Sequence, residues 1–66
     1  MLYRDILDRL QKGDETRAYY VNAEGEHVEI YSNVYGKKPP AFVRHADVYG
    51  IHVTDNGVLE AEVEEP

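Results

Sequence analysis

The stretch from Ile51 to Val63, IHVTDNGVLEAEV, decides the fold, because Asp55-Asn56-Gly57 interrupts two runs of alternating residues. Asn-Gly tolerates the positive φ angles that a tight hairpin turn demands. The spacing therefore predicts a returning strand over Val58–Glu64, with Leu59, Ala61 and Val63 toward a core and Glu60, Glu62 and Glu64 in a row on the other face. Upstream, Phe42 to Thr54 alternates less cleanly. Phe42, Ala46 and Val48 share one parity, Ile51 and Val53 the other, and a bulge near Gly50 would bring all five to one face.

Gly36-Lys37-Lys38-Pro39-Pro40 precedes this hairpin and cannot lie inside a sheet, since consecutive prolines donate no ladder hydrogen bonds. Before that loop stand two further strand-like runs, Thr16–Asn22 and His27–Tyr35, joined by a Glu24-Gly25 turn. In the second run period-two alternation puts Val28, Ile30, Ser32 and Val34 on one face, and His27, Glu29, Tyr31, Asn33 and Tyr35 on the other. The first run is less clear, because Tyr19 and Tyr20 must point opposite ways.

At the start of the chain, Leu2, Tyr3, Ile6, Leu7 and Leu10 recur at spacings of three and four, the stripe of an amphipathic helix. Arg4/Asp8, Asp5/Arg9 and Asp8/Lys12 are opposite charges four apart, and Gly13 is placed as the helix stop. The expected architecture is a single small α+β domain over residues 1–66, an N-terminal amphipathic helix packed on an antiparallel sheet of about four strands made of two hairpins. Its parts are a helix over 1–13, hairpins over 16–35 and 42–64, and a Lys/Pro loop over 36–41 between them.

Composition narrows the function. Thirteen acidic residues against 7 Lys and Arg give a net charge of −6, which disfavours nonspecific attraction to nucleic acid or anionic membranes. The charge is uneven: Gly36–His45 holds Lys37, Lys38 and Arg44 with no acid, whereas Asp55–Pro66 holds five acids and no base. Leu, Ile, Val and Phe make up 16 of 66 residues, enough for a folded chain. A domain of this size hides only about 60% of its unfolded surface, so a partner or a second copy can contribute to stability. With no cysteine there is no disulfide framework. No apolar run approaches the ~20 residues of a membrane span, and Met1–Lys12 lacks a signal-peptide core, so the expected location is cytoplasmic.

Catalytic and metal chemistry find little support. His27, His45 and His52 form no HxH or HxxxH pair, and ordinary surface histidines are expected, with no metal and no cofactor. Apart from tyrosine the only hydroxyls are Thr16, Ser32 and Thr54, with no GxSxG, HExxH or phosphate-cradling loop, so no enzyme is expected. Six tyrosines against one Phe and no Trp suit half-wet sheet faces and protein interfaces alike.

Two surfaces remain. Glu29, Tyr31, Tyr35, Glu60, Glu62 and Glu64 are the candidate partner-binding residues, on the sheet face that one helix leaves uncovered. Their carboxylates suit an Arg/Lys-rich protein surface, or a nucleic-acid site blocked by mimicry, since alternate strand residues lie ~6.6–6.8 Å apart, close to the spacing of phosphates along a DNA strand. Lys37, Lys38, Arg44 and Tyr49 are the alternative, a contact for single-stranded nucleic acid through charge and ring stacking. The expectation is a non-enzymatic interaction protein of accessory, regulatory or inhibitor type with a basic protein partner. A nucleic-acid module and a self-associating homo-oligomer stand as alternatives, and no membrane partner is expected. Size and charge suit the compact proteins often encoded by phages and mobile elements, an analogy of type that carries no site.

Overall fold

The computed structural model describes all 66 residues. Helix α1 (Tyr3–Leu7), strands β1 (Thr16–Val21) and β2 (His27–Ser32), helix α2 (Ala41–Arg44), and strands β3 (Val48–Val53) and β4 (Leu59–Val63) follow in that order. The sheet order is β2-β1-β4-β3. β1–β2 and β3–β4 are antiparallel pairs, but β1 and β4 meet in parallel at the centre, so the sheet is mixed where an antiparallel one was expected. The reason lies in the long connection from β2 to β3, which returns the chain so that both edge strands run one way and both central strands the other. Central placement also suits a parallel pair, whose strands are normally buried.

The expected long helix is one short turn. Tyr3 and Ile6 are buried, so the apolar stripe is used, but beyond Leu7 the bonds tighten to three-residue spacing, Arg9 N–H to Ile6 O and Leu10 N–H to Leu7 O. The Asp14 carboxylate then accepts from Gln11 N–H at 2.9 Å and folds residues 11–14 into a turn, with Gly13 at φ 95°. Gly13 thus serves that turn instead of capping a helix. None of the charge pairs expected at four-residue spacing closes, because the second half of the helix is not there. At the other end the Asp5 carboxylate accepts from Leu2 N–H at 3.1 Å, which satisfies one orphan donor of the helix start.

Strand β2 stops at Ser32, three residues before the expected end. Ser32 Oγ accepts from Val34 N–H, and Asn33–Tyr35 turn into a 3₁₀ helix closed by Gly36 at φ 71°. Asn33 fixes this corner: its Oδ1 accepts from Thr16 N–H at 3.0 Å and its Nδ2 donates to Asp14 O at 2.7 Å. Phe42 to Arg44, expected as strand, form α2 instead. Pro40 ends the extended loop and its carbonyl accepts from the N–H groups of Val43 and Arg44. Burying Val43 completely against α1 outweighs the strand preference of Phe42 and Val43, and leaves Phe42 55% exposed.

The core sits on one side of the sheet. Tyr3, Ile6, Ala18, Val43, Ala61 and Val63 form its buried centre, with Ala18 and Ala61 paired across the central strands. Those two small side chains leave room for the Tyr3 ring, whose hydroxyl bonds Thr16 Oγ1 at 2.7 Å. Burial pushes the Tyr3 phenol up to about 12, only partly offset by that hydrogen bond. Every buried side-chain polar atom has a partner. The hairpin turn at Gly57, φ 85°, forms as expected, and the register shift between Val48 and Gly50 sets Val48, Ile51 and Val53 opposite Val63, Ala61 and Leu59 on the core side. Phe42 and Ala46 are not part of that row, because they precede the strand.

Candidate interaction surface

No helix lies over the other side of the sheet. Its residues follow from the register: Arg17 stands beside Glu60 and Tyr19 beside Glu62 across the central pair, while Glu29 on β2 and His52 on β3 continue the rows outward. Arg17 Nε donates to Glu29 Oε1 at 2.7 Å, Arg17 Nη1 lies 2.9 Å from Glu60 Oε2, and His52 Nε2 lies 2.6 Å from Glu60 Oε1. A single polar chain of carboxylate, guanidinium, carboxylate and imidazole therefore crosses all four strands. Glu60 is its most enclosed member, with the side chain 16% exposed against 43% for Arg17 and 38% for Glu29.

A second row lies beside it. The Tyr19 ring stacks on His27 with centroids 4.6 Å apart and planes 16° from parallel, and Tyr19 is buried despite lying on the uncovered side. That burial raises its pKa above the ordinary tyrosine value, and the Glu62 and Glu60 charges add to the effect. Glu62 forms no ion pair, and neither do Glu64 and Glu65 after the strand. The outer face thus carries one guanidinium against the three carboxylates Glu29, Glu60 and Glu62.

The expected partner-binding residues divide. Glu29, Glu60 and Glu62 do share the outer face, and Glu64 trails the end of β4. Tyr31 does not belong with them. Between Ala18 and Tyr19 the β1–β2 register slips, so that Tyr31 pairs with Ala18 and Glu29 with Tyr19, leaving Ile30 as the extra residue. The slip inverts the parity of the strand. Tyr31 accordingly packs edge-on against Tyr3, with ring centroids 6.3 Å apart, and its hydroxyl donates to Lys37 O at 2.7 Å. Tyr35 is largely exposed in the 3₁₀ corner and not in the strand.

The alternative nucleic-acid set is likewise split. Tyr31, Tyr35, Lys37 and Lys38 line a cleft of about 290 Å³ along the β2 edge. Arg44 lines a neighbouring depression with Leu7, Asp8, Lys38 and Pro39, so that Lys38 borders both, and Tyr49 stands on the opposite edge strand. Sequence reasoning placed His27 on the outer face but missed Arg17, Tyr19 and His52 as members of it. Their outward parity was readable, but the adjacency of β1 and β4 that joins them was not.

The three hydroxyls outside tyrosine each serve the fold. Thr16 bonds Tyr3 in the core, Ser32 caps the 3₁₀ turn, and Thr54 Oγ1 accepts from Val58 N–H in the hairpin. No group of three or more His, Asp or Glu side chains gathers in a metal-holding arrangement. No helix is long and apolar enough to cross a membrane. Comparison of the chain with protein-family models, curated proteins and solved structures gives no match.

Proposed function

We propose that this chain is a non-enzymatic interaction protein that binds a basic protein partner on the outer face of its sheet. The observation that carries this reading is the contrast within the acidic segment: Glu60 is bonded to Arg17 and His52, whereas Glu62, Glu64 and Glu65 form no ion pair. Carboxylates left unpaired at the end of a rigid strand attract and orient a cationic surface, raising the association rate as well as selectivity. Beside Glu62, the exposed His27 ring is held flat on the buried Tyr19 ring and adds an ordered aromatic surface.

The test is capture from nuclease-treated lysate of the source cells with the native chain and with a Glu62→Lys/Glu64→Lys/Glu65→Lys variant. A Lys/Arg-rich protein retained at stoichiometric yield by the first and lost from the second supports the reading; equal recovery by both overturns it. Glu60 is left intact, so that the ion-pair chain across the sheet is preserved. One observation favours a second reading, the meeting of Tyr31, Tyr35, Lys37 and Lys38 in the β2-edge cleft, which offers two cations and an exposed ring to a single-stranded nucleic acid. Fluorescence anisotropy at low salt decides it: binding must appear and then weaken in Lys37→Ala/Lys38→Ala.

A further inference from the structure

Edge strand β3 carries unpaired backbone groups along its outer side. Thr54 N–H donates to Val58 O at 2.9 Å in the hairpin, so the backbone groups of Thr54 point toward β4. Alternation along an antiparallel pair then turns the N–H and C=O groups of Val53 and Ile51 away from the sheet. Nothing in the chain covers them. The outward N–H of Val48, by contrast, is taken by Met1 O at 2.8 Å, so the free edge runs from Tyr49 onward. The side chains follow suit, with Ile51 45% and Val53 63% exposed although both lie on the core side of the sheet.

Charge selects the occupant. In a molecule of net charge −6, β3 contains no Asp, Glu, Lys or Arg, and it lacks the lysine or proline with which edge strands usually resist pairing. Two copies that repel each other over most of their surfaces meet with least repulsion here. The strand is also self-complementary. With His52 on a two-fold axis, Ile51 faces the partner's Val53 and Val53 faces the partner's Ile51, so that outward N–H and C=O groups meet their counterparts four times, as an isologous contact requires. The four apolar side chains form one patch on the core side. Pairing ends near Tyr49, where Met1 occupies the edge and the partner's hairpin turns away.

We propose that β3 pairs antiparallel with β3 of a second copy, centred on His52, joining two four-stranded sheets into one two-fold dimer. The proposal is independent of the basic-partner reading, because the carboxylates invoked there lie on β4 and beyond. Sedimentation equilibrium of the full chain should show a mass that climbs from 7.6 kDa toward twice that value as concentration rises. Val53→Pro removes one outward N–H and no bond to β4, and should raise the dimer dissociation constant roughly tenfold or more, since the loss occurs twice across the axis. Ile51→Lys, at a half-exposed position, should do the same through charge, with circular dichroism reporting that each variant is folded.

Register is read by oxidation. The chain has no cysteine of its own, and His52→Cys places a thiol opposite its copy at a non-hydrogen-bonded position, where side chains approach most closely. It should give a covalent dimer, whereas Ile51→Cys should give little. A single-chain mass at every concentration overturns the proposal. So does a dimer that tolerates both Val53→Pro and Ile51→Lys, or one that oxidises through Ile51→Cys in preference to His52→Cys. The Glu62→Lys/Glu64→Lys/Glu65→Lys variant, with its net charge raised from −6 to 0, should dimerise at least as readily as the native chain, which keeps failure of one reading distinct from failure of the other.

Discussion

Removing the Tyr3 hydroxyl tests the core most directly, because both partners of its hydrogen bond are fully buried. In Tyr3→Phe the ring and its packing remain, but Thr16 Oγ1 loses its only side-chain partner in a site without access to water. Leaving a buried polar group unpaired costs about 1–3 kcal/mol, against a total of roughly 3–10 kcal/mol for a chain of this length. A loss near 2 kcal/mol lowers the melting temperature by roughly 8–16 °C in so small a domain. Thr16→Val should cost a similar amount, and Tyr3→Phe/Thr16→Val much less than the sum, since the double variant leaves no orphan. The pH dependence reads the burial of the same hydroxyl, which raises its pKa against the lowering effect of the Thr16 bond. The Tyr3 phenol titrates at about 12 in the folded chain against 10.0 unfolded, so its contribution is fully present below pH 10 and is lost as pH rises through 12. Two pKa units correspond to roughly 3 kcal/mol, and that alkaline loss should be absent from Tyr3→Phe. Chemical denaturation of the four proteins at neutral pH and again between pH 9 and 12 measures all of this. Additive single-variant losses, or an unchanged alkaline loss in Tyr3→Phe, would refute the reasoning.

Other substitutions probe the remaining elements. Gly57→Ala meets no atom within 4 Å but must hold φ near 85°, so the loss should be the conformational cost alone, about 1–2 kcal/mol, and Gly57→Asn should recover part of it. Val43→Ala empties a fully buried position and should cost about 2–3 kcal/mol, whereas Phe42→Ala beside it should stay within about 1 kcal/mol; the reverse order would restore the strand reading of this segment. Arg17→Met strands Glu29 and Glu60 together and should cost about 1 kcal/mol at low salt, with the deficit shrinking as salt is added, because Arg17 and Glu29 are substantially exposed.

What could be read along the chain was whatever local chemistry settles. Asn56-Gly57 makes its turn without help from elsewhere, and the alternation of Leu59, Ala61 and Val63 places them correctly because β4 runs without interruption. The register slip at Ile30 was invisible, since an extra residue leaves no mark on composition and only the pairing with β1 reveals it. Tyr31 was lost from the outer face for that reason alone. The length of α1 depended on Asp14 competing for Gln11 N–H, and α2 on the space that Val43 fills beneath α1. The first is decided by a bond three residues long and the second by a contact between segments, and periodicity shows neither. The parallel centre of the sheet belongs to the same class, and with it the meeting of Arg17 and Glu60, on which the electrostatics of the outer face depend.

That meeting changes what the acidic strand can do. If β4 stood at an edge, Glu60 and Glu62 would form an equivalent row, and any cationic surface could slide along it. With β1 on one side and β3 on the other, Glu60 is drawn into bonds with Arg17 and His52 and its side chain is mostly enclosed. A partner that engaged Glu60 would have to displace a guanidinium already in place, with little net gain. Glu62 and the residues after it face no such competitor, so the attractive charge is concentrated at one end of the strand. Glu60→Gln should therefore affect stability more than binding, whereas Glu62→Gln should affect binding more than stability. The opposite assignment, read by denaturation and by titration of the captured partner, would mean that the ion-pair chain itself is the recognition surface.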